Sequence, residues 1–215
     1  LAALARVDHV CVTHSYLDHV TAIPFLVDNL GASRDKPPTV HALPETIAIL
    51  RKNLINWDEW PDFTVIPNAE EPWLQYAEVK IGDVIKLDDR RITVLPAVHT
   101  VTAVGYMLDS GRSSLVFSGD TGVNDELWTA ANAARNLRHV IIETAFSNKE
   151  RFLAEVSRHL CPSMLHEELV KLTRPVEVYV THLKPGETEL TMQEIEDQVA
   201  AYRPRMLQNG QVLDF

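Results

Sequence analysis

His9-Val10-Cys11-Val12-Thr13-His14-Ser15-Tyr16-Leu17-Asp18-His19-Val20 is the stretch from which the fold can be read. Val10 to Thr13 is a short, β-branched, apolar run of the kind that forms a buried strand. Directly behind it come His14, Asp18 and His19, so a loop leaving a rigid strand end can present two imidazoles and a carboxylate to one small volume. Zinc and similar divalent ions need that donor set.

Working outward, the same arrangement recurs. Ile92 to Val98 leads to His99, Leu115 to Gly119 leads to Asp120, and Val176 to Thr181 leads to His182. Strands of one sheet end along a common edge, so side chains just past those ends can meet although they are far apart in sequence.

The rest of the chain supplies a frame for such an edge. Residues 1–7 read as the tail of a helix. A helix is expected from about Asp18 to Leu30, with Asp18 capping its first turn and Gly31 ending it. Thr39–Leu43 reads as a strand, and Pro44 opens a helix to about Asn56, giving a β-α-β-α rhythm. Residues 57–76, with Trp57, Trp60, Pro61, Pro67, Pro72 and Trp73, break the rhythm as a long loop, either a lid or substrate wall or a packed insertion.

Short strands at Val84–Leu87, Arg91–Ala97, Val104–Leu108 and Ser114–Phe117 then indicate an antiparallel meander. Further on, helices are expected at 124–136, 148–157, 163–173 (after Pro162) and 191–202, with strands at Val140–Ile142, Val176–Thr181 and Val212–Phe215. The sum is α+β, with strands in two sheets and helices outside.

The chain has 215 residues, enough to bury about 70% of its unfolded surface, and reads as one domain over 1–215. Its 30 acidic and 20 basic residues give a formal charge of −10, which argues against a protein that grips long nucleic acid by its phosphates. A small phosphorylated substrate stays compatible, because metal ions supply local positive charge. Cys11 and Cys161 are too isolated for a disulfide framework or a cysteine-based zinc site, and Cys11 reads as a small buried residue. No run is apolar and long enough for a membrane-spanning helix, and no signal peptide is visible. The opening Leu-Ala-Ala-Leu-Ala-Arg, without Met, suggests that the natural N-terminus is absent. The compartment is left open, cytoplasm favoured over periplasm. His9, His41, His139 and His166 read as packing or surface residues, and Lys184 as a solvated lysine.

Thr-His-Ser-Tyr-Leu-Asp-His at 13–19, Val-His-Thr at 98–100, Phe-Ser-Gly-Asp-Thr-Gly at 117–122 and Thr-His-Leu-Lys-Pro at 181–185 together resemble the metallo-β-lactamase-fold hydrolases. Ile-Glu-Thr-Ala-Phe-Ser-Asn at 142–148 and His-Leu-Cys-Pro-Ser-Met-Leu at 159–165 make the chain most similar to the class II 3′,5′-cyclic nucleotide phosphodiesterases. The resemblance implies a four-layer αβ/βα sandwich, here without its N-terminal strands. It implies two zinc ions, with manganese or iron as alternatives. Asp18, His19 and His182 would hold one ion, His14 and His99 the other, and Asp120 would bridge them. Asp18 counts among the catalytic residues too, beside His159 as general acid oriented by Glu143.

The implied substrate is a small cyclic nucleotide (cAMP or cGMP), opened by metal-activated water to a 5′-nucleotide. Neither long nucleic acid nor membrane is implied as a partner, and a homodimer is compatible with the resemblance. One departure falls at Tyr16, where the family carries a second histidine. A phenol titrates near 10 and ligates less readily than imidazole, so the ion at His14 is implied to be weakly held, or the protein to work with one ion. A tRNA 3′-end endonuclease shares the ligand set and the Glu–His pair, and a degenerate, non-catalytic member is the reading motivated by Tyr16.

Overall fold

The computed structural model describes residues 4–215. The chain forms two compact units, the first ending at Lys80 and the second running Ile81–Phe215.

In the first unit, β1 (His9–Cys11), β2 (Thr39–Ala42) and β3 (Gln75–Glu78) form a parallel sheet in the order β1-β2-β3. Alternation puts Val10, Val40 and Tyr76 on one face, where they join Val12, Ala42, Ile23, Val27, Ile47 and Leu50 in a common core. The helices over that face are α1 (Leu17–Val20), α2 (Ala22–Leu30) and α3 (Pro44–Asn53).

Three expectations shift here. The single helix from Asp18 is two helices broken at Thr21, and Tyr16, not Asp18, occupies the N-cap position; Asp18 lies in the first turn. Gly31 follows α2 in a right-handed conformation, where a Cβ would press on the Trp73 ring at 3.0 Å. The tail expected over 1–7 is a 3-10 turn at Leu4–Arg6, while residues 1–3 lie outside the described residues.

The long insertion is packed wall. Phe63 and Leu74 are fully buried, Phe63 stacks on Trp73 with centroids 6.2 Å apart, and Phe25 meets Trp60 edge-on at 4.8 Å. Its last residues form β3, a strand hidden from the sequence because Gln75, Tyr76, Ala77 and Glu78 show no apolar alternation.

The second unit holds a seven-stranded mixed sheet. Its strands are β4 (Val84–Leu87), β5 (Arg90–Pro96), β6 (Val104–Asp109), β7 (Ser114–Phe117), β8 (Leu137–Glu143), β9 (Glu177–Thr181) and β10 (Arg205–Met206), in the order β10-β9-β8-β7-β6-β5-β4. β4 to β7 form the expected antiparallel meander, and β7, β8, β9 and β10 run parallel. Since β5 and β7 are both antiparallel to β6, β5 also shares the direction of β7, β8 and β9. The C-terminal ends of these four strands therefore share one edge.

Val116, Val140, Ile142, Val178 and Val180 pack under α4 (Asp125–Ala133), α6 (Pro162–Leu169) and α7 (Thr188–Val199) through Leu127, Trp128, Leu165, Leu169, Ile195 and Val199. Burial of each such side chain stabilises by about 1.5–3 kcal/mol. The buried Glu168 joins two of these helices by accepting from Trp128 Nε1 at 2.6 Å and Asn124 N at 2.9 Å. Asn124 in turn caps α4 at Leu127 N.

The strand expected at Val212–Phe215 is absent; the sheet's edge strand is Arg205–Met206, paired with Tyr179 and Val180. The helix expected at 148–157 is a 3-10 turn followed by α5 (Arg151–Ser157), and those at 163–173 and 191–202 start earlier than expected. Among the described residues no helix is long and apolar enough to cross a membrane.

Candidate metal centre

Each unit gathers its own share of the candidate ligands. In the first, the chain leaves β1, stays paired for one more residue through Val12 N to His41 O at 2.9 Å, and turns. His14 is buried, and its ring centroid lies 4.1 Å from that of His19 and 5.0 Å from Tyr16, which meets it edge-on. Asp18 Oδ2 is 3.5 Å from His19 Nε2, the aspartate largely exposed and the histidine largely covered. Thr13 Oγ1 lies 3.1 Å from His14 Nδ1 and fixes that ring from behind.

In the second unit the donors come from the shared strand edge. Past β5 and β7 the two connections are zipped together: Gly122 N donates to Val98 O at 2.8 Å and Val98 N to Thr121 Oγ1 at 3.0 Å. This sets His99 level with Asp120. Gly119, with φ of +61°, supplies the turn that brings Asp120 round. Past β8 and β9, Thr144 N donates to Thr181 O at 3.0 Å and Lys184 N to Ala145 O at 3.1 Å, placing His182. His182 takes a left-handed φ of +63°, uncommon for a residue with a side chain and concentrated at functional sites. His182 Nε2 stands 3.2 Å from Asp120 Oδ2.

Behind these donors is a carboxylate hub. Glu143, the last residue of β8, is fully buried. Its Oε1 accepts from His159 Nδ1 at 2.7 Å and Thr121 N at 3.1 Å, and its Oε2 from Ala145 N at 3.1 Å and Leu160 N at 3.3 Å. Burial pushes its pKa up, and the hydrogen bond and charge of His159 pull it back. The three main-chain N–H donors and the His159 ring favour the ionised form against that burial. His159 lies 4.9 Å edge-on from His99 and stacks on His182 at 5.2 Å, tilted by 16°. Candidate donor atoms of His99, Asp120 and His159 fall within 4.8 Å of one another, as do those of Glu143, His159 and His182.

The donor chemistry fits a divalent transition ion. Two donors at about 2.1 Å on one tetrahedral ion are roughly 3.4 Å apart, and Asp120 and His182 at 3.2 Å are near that separation. Imidazole and carboxylate suit zinc, manganese or iron without choosing among them.

His14, Asp18 and His19 thus come together in the first unit, and His99, Asp120, His182, Glu143 and His159 in the second. The remaining histidines lie elsewhere, His9 and His166 exposed and His41 and His139 buried. His9 Nδ1 and His41 Nε2 share a hydrogen bond at 3.0 Å, burial and the charge of His9 hold the pKa of His41 down, and His139 packs by Tyr179. Burial pushes the Cys11 thiol up to about 11, as suits a packing residue. Thr121 and Arg158 were missed by sequence reasoning: the first acts through its backbone N–H on Glu143 and its hydroxyl on Val98 N, and the second was overshadowed by His159.

The sequence profile of the "Beta-lactamase superfamily domain" matches residues 1–200. The chain belongs to this superfamily. Among superfamily relatives, it is 25% identical over 199 residues to a "Probable 3′,5′-cyclic-nucleotide phosphodiesterase" of Yersinia pestis, covering 81% of this chain and 56% of that protein. A shorter match, 26% identical over 114 residues, is to a ribonuclease Z of Methanothermobacter thermautotrophicus, covering 50% of this chain and 32% of the relative. The solved structure of unliganded yeast PDE1 superposes with a TM-score of 0.80 at 19% identity, over 95% of this chain and 67% of the other. The chain therefore has the metallo-β-lactamase fold, its sheets flanked by helices, and spans little more than half the length of the first relative.

Proposed function

We propose that this superfamily member is the metal-bearing part of a phosphodiesterase that opens 3′,5′-cyclic nucleotides to 5′-nucleotides. The observation that carries the reading is the buried Glu143–His159 pair at 2.7 Å, set beside His99, Asp120 and His182. An alkoxide leaving from phosphorus needs a proton, and a histidine oriented by a carboxylate is a group suited to deliver it.

In this reading His14, Asp18 and His19 of the first unit and His99, Asp120 and His182 of the second would hold divalent ions, which would supply an activated water and neutralise charge at phosphorus. Glu143 stays anionic, accepts Nδ1–H of His159 and thereby assigns the other ring nitrogen, Nε2, to the transferred proton. His159 gives that proton to the departing 3′-oxygen. Phe146, 5.7 Å edge-on from His159, and the stacked His182 keep the ring in one plane. The name of the Yersinia pestis relative supports the cyclic substrate.

A second reading, cleavage at the 3′ end of tRNA, has the ribonuclease Z match in its favour and the charge of −10 against it. The test is the zinc-loaded protein assayed against cAMP, cGMP, bis(p-nitrophenyl) phosphate and a tRNA precursor, with products separated by chromatography. Conversion of a cyclic nucleotide to its 5′-nucleotide is expected. Cleavage of the precursor alone, or release of the 3′-nucleotide, would sink the proposal.

A further inference from the structure

α5 ends in a paired cap in which His159 N donates to Ala154 O at 2.9 Å and Arg158 N to Glu155 O at 3.3 Å. The residue at the turn itself is Arg158, left-handed at φ 55° and ψ 51°, a position that glycine usually fills. An arginine there is backbone-disfavoured, so its side chain calls for an account.

That side chain is tied to the candidate centre. Arg158 Nη1 donates to His99 O at 2.8 Å, and His99 Nδ1 lies 3.3 Å from Arg158 O, a reciprocal clasp between the strand edge and the cap. Gly122 lies directly against this turn, a Cβ there standing in ordinary contact with Arg158 Cα at 3.4 Å. In the same unit Arg91, Arg138, Arg151 and Arg205 each face a carboxylate within ion-pair reach, while Arg90, Arg112, Arg135, Arg174 and Arg203 face none among the described residues; what marks Arg158 is its hydrogen bond to a candidate ligand. Arg158 is exposed and, among the described residues, makes no ion pair. One N–H of its five is spent on His99 O, which steadies the guanidinium and leaves the others to serve an anion.

We propose that Arg158 binds the anionic phosphoryl group of the substrate and makes the site select charged phosphodiesters over neutral esters. This rests on the phosphodiesterase reading. The cation and the proposed proton donor are then consecutive residues, presented by one turn. Binding a charge already present in the ground state acts mainly on KM.

The test uses the zinc-loaded protein, Arg158→Gly and Arg158→Lys, with bis(p-nitrophenyl) phosphate as anionic ester, p-nitrophenyl acetate as neutral ester, and inorganic phosphate titrated at equilibrium. Arg158→Gly removes the charge while installing the residue the backbone favours, so its Tm should hold or rise. KM for the phosphodiester should climb roughly ten- to hundredfold with kcat within a few-fold, phosphate should bind weaker by a similar factor, and the acetate should be unaffected. Arg158→Lys should recover part of the loss. Unchanged KM, or equal losses on both esters, overturns the assignment, as does a fall in Tm that accounts for them. Should the unaltered protein hydrolyse no phosphodiester, the phosphodiesterase reading fails on its own; the phosphate titration still decides Arg158, with weaker binding in Arg158→Gly sustaining the anion site and equal binding removing it.

Discussion

In the first unit the candidate ligands His14, Asp18 and His19 are neighbours in sequence, held by one loop and one turn of helix; in the second, His99, Asp120 and His182 arrive from three separate strand ends. The local set depends on a short segment with an exposed carboxylate and a half-exposed Tyr16. The dispersed set depends on strand direction and on the cross-connections Val98–Gly122, Thr144–Thr181 and Ala145–Lys184, and is backed by a buried carboxylate. Contiguity in sequence makes a site easy to recognise, while interlocked connections make one rigid.

That contrast can be tested from its most sensitive point downward. Asp120→Ala removes the carboxylate 3.2 Å from His182 and should abolish both metal retention and hydrolysis; metal analysis and an ester assay check it, and retained turnover would take Asp120 out of the ligand set. His159→Ala should keep the metals but slow hydrolysis by about two to four powers of ten, and an unchanged rate would take His159 out of the mechanism. Phe63→Ala, in the packed insertion of the first unit, should cost about 3–5 kcal/mol in urea unfolding; a loss near zero would make that segment a lid after all. The smallest change is expected from Tyr16→His, which should raise metal occupancy at limiting zinc. Equal occupancy would mean that the phenol already ligates or that position 16 lies outside the site.

Much of this was legible in the chain. His14, Asp18 and His19 follow a strand-like run, and the meander from Val84 to Phe117 is punctuated by Asp88-Asp89 and Ser110-Gly111-Arg112, so local patterning was enough. β3 escaped because neither burial alternation nor β-branching marks Gln75–Glu78; only pairing with β2 makes it a strand. The Val212–Phe215 reading failed for the opposite reason. Its apolar residues invite a strand, but the sheet edge beside β9 is taken by Arg205–Met206, whose arginine is paired with Glu177 and lies over the Tyr179 ring. Arg158 shows a third limit. No sequence pattern announces a left-handed arginine, because its conformation is imposed by the cap that ends α5 and the clasp with His99.

Glu143 gathers the amides of Thr121, Ala145 and Leu160 along with the His159 ring. Three of those four donors are main-chain groups, which every amino acid except proline possesses. Evolution can therefore rewrite the side chains at 145 and 160 without loosening the rivet, though not that at 121, whose hydroxyl also holds Val98 N, whereas a single imino acid at any of the three would unfasten a loop. Pressure on this part of the sequence should show up less as which residue is kept than as which one is forbidden.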